Sequence, residues 1–537
     1  MKRTLFILLF YFVFLVGKAQ EKNQFALFTD RDLYTSGESL LFKVFVPSNE
    51  LSGIVHIDLV NAKGKIISGV ARKIVGHEAD GFVELPDSLS TGTYLLCTSL
   101  KNSSLAAIKE LFICNRFTGI AELNNTLRLK HTGQFIHNQT NKLSIVGLDK
   151  AYKTRGRINP EIHLPAELVA QINGKLLVSV AETTPGFNST TVFRHTKSSI
   201  SQKSENDGVI LEGIVKDFKT GEPFKNGIVY LSIPDTFPRF KYFITRSNGR
   251  FSFQLDNYFG KIPVVVQCLD QQDKQLLKLV LDRQDSLYIE SLDFELTPVA
   301  EELRQASEQS IEVVNFSKLF NQQELAIAPS TMKKTDSYPF YGIPNQVIDP
   351  QKFIELPDFS EIAREIIPGV KFISNNRIPT MQVFNPAQFG FFKNPPLVLL
   401  DGIPVHDLNV IRNLGSNEID RIEICNTERY FGYLRFPGVV AIYSLKPDFA
   451  RLMPSDNLVK LNLDALQPDV SLNTSDGQKL NEMDLRKVLM WKPAVEPEQT
   501  IKLGFTTSDV KGNYKLIVQG MNKDGSLFYK EQIFEVN

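Results

Sequence analysis

The chain has 537 residues, and its 60 Lys and Arg are balanced by 60 Asp and Glu, so the formal net charge is zero. Charged residues are scattered, with no basic stripe and no acidic tail, which argues against a nucleic-acid partner. Thirty-nine Phe stand against one Trp, and Gly and Pro are spread throughout; this points to aromatic-rich strands joined by many tight turns.

At the N-terminus Lys2-Arg3 precedes an apolar run from Leu5 to Val16, followed by Gly17-Lys18-Ala19-Gln20. A charged start, a short apolar run and a small residue before a cut are the parts of a secretory signal, expected over residues 1–20. The competing reading is an uncleaved anchor, but the run is short for a bilayer span. No Cys stands at the expected cut to carry a lipid. About 517 residues remain, room for three to five domains.

Residues 21–116 read as a β-sandwich. Phe25–Phe28, Leu40–Val46 and Ile54–Val60 are strands, and Asn61 to Gly64 is a turn. The wording Asp30-Arg31-Asp32-Leu33-Tyr34, then Gly37-Glu38 and Phe42-Lys43, with Thr91-Gly92-Thr93-Tyr94 later, is similar to the second macroglobulin domain of α2-macroglobulin-type proteins. Cys97 and Cys114 fall on one hairpin turning at Asn102-Ser103-Ser104. Pairing residues whose numbers sum to about 207 places Cys97 opposite Glu110 and Cys114 opposite Thr93. That offset is too wide for a disulfide, so both are expected as buried thiols.

Residues 117–207 are expected to form a second sandwich with a core strand at Lys175–Ala181 and a polar loop at Asn188–Gln202. Residues 208–291 carry Thr220-Gly221-Glu222-Pro223 and Ser247-Asn248-Gly249-Arg250 between strands. They resemble a carboxypeptidase-regulatory-type sandwich, and each motif also has a purely structural role as a tight turn. Residues 292–350 are expected as a helix begun near Pro298 and running from Val299 to Glu308, followed by a linker or strap.

The most informative stretch lies within residues 351–450. A helix expected from Ser360, its cap, to Ile367 ends at Pro368-Gly369. Then come the apolar run Leu397–Leu400, the turn Asp401-Gly402, Glu418–Ile424, Tyr430-Phe431-Gly432, and Gly438–Tyr443. Order and wording resemble the plug domain of TonB-dependent outer-membrane receptors. In those receptors a barrel of about 22 strands follows, whereas residues 451–537 suffice for roughly a third of one. The resemblance therefore implies a plug-like module without a pore, and a transporter reading fails on length. Val398, Leu400, Ile422, Ile424, Val440 and Ile442 are expected to form its sheet core, with Ile362, Ile366 and Ile367 covering it. Gly402 is expected at positive φ. On this reading Gly402→Val damages the fold and Asp401→Ala leaves it nearly intact. Residues 451–537 are expected as a C-terminal immunoglobulin-like sandwich.

Catalytic signatures are missing. His77-Glu78 is followed by Ala79-Asp80-Gly81, which ends a metalloprotease reading, and Gly76 to Gly81 has phosphate-loop spacing but continues with Phe82-Val83. The seven His are isolated, so no metal site or cofactor is expected. None of the four Cys has the context of the macroglobulin thioester, so covalent protease trapping is not expected.

The fold class read from the sequence is mainly β: tandem β-sandwiches plus one small α+β plug-like domain and no transmembrane barrel. The order of modules resembles envelope proteins of Bacteroidota-type bacteria. This implies a non-catalytic binding or scaffold protein of the periplasm or outer membrane, with Asp401, Gly402, Tyr430, Phe431 and Gly432 as candidate interaction loops. The alternative is an accessory component of a TonB-dependent uptake system, its partner an outer-membrane barrel receptor.

Overall fold

A computed structural model describes residues 25–46, 53–101, 105–130, 138–139, 142–189, 191–195, 205–234, 237–256, 258–270, 276–282, 292–320, 338–373, 378–446, 455–468 and 483–537. The signal expected over residues 1–20 lies outside them, as does the stretch 321–337 within the expected linker. The protein is mainly β and built from sandwiches; among the described residues no sheet closes into a barrel and no helix is long and apolar enough to cross a membrane.

The first sandwich faces the sheet of Ala26–Thr29, Ser39–Phe45 and Glu78–Glu84 against the sheet of Ile54–Asn61, Ile66–Lys73, Gly92–Ser99 and Leu105–Cys114. Its core is the alternating set expected of inward faces, with Leu40, Phe42 and Val44 against Val55, Ile57, Leu96 and Leu111. The Cys97 hairpin pairs Cys97 with Ile108 and Thr93 with Phe112, two residues from the expected register. A slip of two keeps every side chain on its expected face, and all four cysteines are buried thiols. Thr191–His195, expected as part of a loop, is instead a strand against Leu105–Cys114, at the outer edge of this sheet.

The two sandwiches expected at 117–207 and 451–537 share their sheets. Leu176–Glu182 lies between Val488–Val495 and Gly512–Met521, and Leu527–Val536 extends the sheet beyond. Glu161–His163 pairs with Thr500–Lys502, and Arg157–Ile158 with Phe505–Thr506. One core joins Ile158, Ile162, Val178 and Val180 to Phe505, Tyr514, Leu516 and Phe534. The reason is that Leu176–Ala181 is buried on both faces and needs a ladder partner on both edges. Among the described residues of 117–195, its neighbours in sequence are strands of two to five residues, and distant strands complete it. Trp491 joins Phe28, Leu41, Phe45 and Phe82 in a cluster where this composite sandwich meets the first.

In the third sandwich Gly208–Asp217 pairs with Arg250–Asp256 and Leu277–Leu281. The facing sheet orders Arg239–Ile244, Ile228–Ile233, Lys261–Leu269 and Leu458–Asp464. The last strand was expected in a C-terminal sandwich; its pairing with Lys261–Leu269 instead fills an open edge. Phe294–Pro298 is a strand paired with Asn125–Leu129, and the helix beyond it spans Glu301–Leu319, longer than expected and starting after Ala300.

The α+β unit carries the sheet Gln346–Ile348, Ile419–Cys425, Val439–Ser444, Leu397–Leu400, Ile403–Pro404. Gln346–Ile348 had been expected in the preceding linker, but it pairs with Ile419–Cys425. The helix Phe359–Glu365 is capped by Asp358, whose carboxylate accepts from Glu361 N at 3.0 Å, in place of Ser360. The core holds Ile362, Ile367, Val398, Leu400, Ile422, Ile424, Val440 and Ile442, with Ile366 packed against it.

Candidate interaction surface

Two turns singled out in the sequence sit on the α+β unit. The first links Leu397–Leu400 to Ile403–Pro404, with Leu400 opposite Ile403. Asp401 and Gly402 both take positive φ, 50° and 82°, as a two-residue hairpin turn requires. Asp401 is buried, and its carboxylate accepts from Ser444 N and Ser444 Oγ, both at 2.8 Å. A β-carbon on Gly402 would stand 2.2 Å from Pro238 Cβ of the third sandwich. This turn is therefore packed inside the chain: it joins strands and rests on a neighbouring sandwich.

The second turn belongs to the hairpin Arg429–Phe431 and Leu434–Phe436. Phe431 points inward: its ring lies 5.2 Å from Phe340, 5.8 Å from Phe436 and 6.0 Å from Phe240, centroid to centroid. Phe240 stacks on Phe340 at 4.9 Å, so this cluster bridges the third sandwich and the α+β unit. Nearby, His406 stacks on Tyr230 at 5.9 Å, and Gln267 Nε2 donates to Pro404 O. Gly432, at φ 55°, leaves room for the Tyr242 hydroxyl, which accepts from Tyr433 N at 2.9 Å.

Tyr430 and Tyr433 point the other way. They are 64% and 92% exposed, on a hairpin whose base is held by the aromatic cluster. Glu428 accepts from Tyr430 Oη at 2.5 Å and from Arg435 Nε at 3.1 Å, and the Arg435 and Tyr430 hydrogen bonds hold its carboxyl below the usual range. Arg429 Nε donates to Tyr341 O at 2.9 Å, tying the hairpin to the segment that carries exposed Ile343 and Val347. Beneath it, Tyr341 Oη donates to Glu423 at 2.5 Å and meets Tyr443 Oη at 2.7 Å. Burial pushes the Tyr443 hydroxyl up to about 12, and the Arg421 guanidinium lies 3.7 Å from its ring centroid.

The structure thus separates the five residues. Asp401, Gly402 and Phe431 face other parts of the same chain, whereas Gly432 is exposed beside the Tyr242 hydroxyl and Tyr430 faces out. Tyr433, Ile343 and Val347 join it on the surface and were missed in the sequence. For Tyr433 the signal was present: a second tyrosine directly after the turn glycine, where the chain is farthest from its sheet. Among the described residues, eleven of the twenty-four exposed large hydrophobics lie within 338–446. No group of three His, Cys, Asp or Glu among the described residues is placed to hold a metal ion.

No protein-family model matches the chain, and no curated protein does. Solved structures that align with it include Salmonella α-2-macroglobulin reacted with methylamine, at 9% identity over 96% of this chain and 39% of that one, TM-score 0.22. The native conformation of E. coli α-2-macroglobulin aligns at 9% identity over 97% of this chain and 22% of that one, TM-score 0.17. The E. coli adhesin FdeC aligns at 10% identity over 52% of this chain and 65% of that one, TM-score 0.13. The chain spans less than half of either macroglobulin, and at such TM-scores these likenesses carry no argument about its function.

Proposed function

We propose that the protein is an exported, non-catalytic binding or scaffold component of the cell envelope, and that it holds a protein partner through the hairpin 429–436. The observation that carries this is the pair Tyr430 and Tyr433, exposed on a hairpin whose Phe431 is locked in an aromatic cluster. Tyrosines are amphipathic and have few rotors, so a preorganised pair buries contact area at low entropic cost. Ile343 and Val347 supply an apolar margin, and Arg435 and Glu428 a polar rim, the usual layout of a protein contact. The segment 1–20 and the module order support export and an envelope location.

The test is quantitative co-purification from native envelope. A partner captured by the wild type and lost from a Tyr430→Ala/Tyr433→Ala double variant that melts at the same temperature supports the reading. Equal capture by both overturns the assignment of this hairpin. A barrel protein at stoichiometric yield would select the TonB-dependent uptake reading over the scaffold one.

A further inference from the structure

A buried charged pair spans the junction between the first and third sandwiches. His56 stands on the strand Ile54–Asn61, and Glu205 precedes the strand Gly208–Asp217. His56 Nε2 lies 2.6 Å from Glu205 Oε2, with side-chain exposures of 12% and 0%. Glu205 is the hub of the junction. Its Oε1 accepts from Ile210 N at 2.7 Å, and its backbone carbonyl accepts from Gly53 N at 2.6 Å.

The charges facing His56 come from every side of the joint. Asp58 lies on its own strand. From the end of the neighbouring strand, Lys101 Nζ sits 3.9 Å from Glu205 and 3.4 Å from Glu212 of the third sandwich. Ala71 and Ser99 stand opposite His56 on the two adjoining strands and bring no charge. Farther out, Lys73 Nζ is 3.4 Å from Asp207 in a solvated pair. Among the described residues, protonated His56 and Lys101 face the carboxylates of Glu205, Glu212 and Asp58. With His56 neutral, the cation 2.6 Å from Glu205 is lost, and Lys101 stands farther off at 3.9 Å. In a desolvated site that loss is not made good by water.

We propose that His56 and Glu205 form a protonation-dependent latch between the first and third sandwiches, closed with His56 charged and loosened once it is neutral. The joint also has a part that does not titrate, the apolar contact of Ile54 and Ala71 with Val209 and Leu466. Deprotonation therefore opens the joint locally and leaves the sandwiches folded. Burial pulls the His56 pKa down, but the Glu205 carboxylate outweighs this and leaves it raised. Glu205 is pushed up by burial and drawn down further by His56 and Lys101, so it ends lowered. A raised His contributes stability that is whole below its ordinary value of about 6.5 and is lost as pH rises through its folded pKa. A lowered Glu contributes stability lost only as pH falls through its own. The latch is strongest between these limits.

Hydrogen exchange of the full chain tests this. After correction for intrinsic rates, exchange in peptides covering Gly53–Ile57 and Gly208–Glu212 should rise about tenfold as pH passes through a midpoint above 6.5. Exchange at Leu397–Leu400 should stay constant. In His56→Gln the two junction peptides should show no such midpoint. Should that variant perturb Leu397–Leu400, Glu205→Gln serves in its place, and it should likewise lose the midpoint. A flat profile in the wild type, or the same midpoint with the pair removed, overturns the latch.

Discussion

Asp401 shows how much one turn residue does in this chain. It holds a left-handed backbone at φ 50° and at the same time closes two hydrogen bonds to Ser444 on the adjacent strand. Alanine would keep the strain and lose both bonds, so Asp401→Ala should cost about 1–3 kcal/mol, where the sequence reading expected almost nothing. Asp401→Asn tolerates the same φ and keeps an acceptor, so it should lie nearer the wild type. Gly402→Val should be worse than either, because it adds a β-branched residue at φ 82° and a contact 2.2 Å from Pro238. Chemical unfolding of the three variants checks the order Gly402→Val, Asp401→Ala, Asp401→Asn, from most to least damaging. If Asp401→Ala matches Asp401→Asn, the Ser444 bonds contribute little.

Between elements, the helix Glu301–Leu319 is pinned at a buried polar point. Its Leu303, Ser307, Ser310 and Val314 fall on one face and lie against the first sandwich and the composite one. Ser310 Oγ meets Thr35 Oγ1 at 2.7 Å and accepts from Lys487 Nζ at 2.8 Å. Lys487 also pairs with Glu38 at 2.7 Å, and Glu38 pairs with Arg31 at 3.1 Å, all within a few per cent of full burial. The sequence motif Asp30-Arg31…Tyr34…Glu38 thus assembles half of a network whose other half comes from the C-terminal segment. Lys487→Ala removes one partner of a buried pair and should cost about 3–5 kcal/mol. Burial raises the Glu38 pKa, but Arg31 and Lys487 together bring it below its ordinary value. Its contribution is therefore present above about pH 4.5 and lost as pH falls through the lowered folded pKa. Lys487→Ala should accordingly flatten the acid limb of a stability-against-pH curve; an unchanged limb would assign the acid sensitivity to other carboxylates. In the α+β unit the central parallel pair Leu397–Leu400 and Val439–Ile442 is buried on both faces. Its amides should exchange among the slowest in the protein, and rapid exchange there would mean the unit is not ordered by its own core.

On the scale of the whole molecule, the chain leaves the composite sandwich after Glu182 and returns to it at Val488. A chain truncated after Leu445 would leave Leu176–Glu182 with no partner on either edge and strip Leu458–Asp464 from the third sandwich. It should retain the α+β unit, lose the composite core and aggregate through the exposed strand. The residues 483–537 expressed alone should likewise fail to form a stable sandwich. Circular dichroism and size-exclusion chromatography of the two pieces check this. A folded, monomeric 483–537 would show that the C-terminal strands do not need Leu176–Glu182.

What the sequence by itself determined was local. Period-two patterns and turn glycines located the strands of the first and third sandwiches, and Val398, Leu400, Ile422, Ile424, Val440 and Ile442 proved to be one core because each apolar face has only one place to go. The Asp401-Gly402 turn was legible for the same reason: positive φ at a two-residue loop admits few residue types. What only the tertiary structure decided was partnership. Strand edges carry no address in their side chains, so nothing near Leu176–Glu182 or Lys261–Leu269 names the distant strands that complete their sheets. Likewise the aromatic residues of a turn read alike in sequence. Only packing against Phe240 and Phe340 turned Phe431 inward and left Tyr430 and Tyr433 facing water.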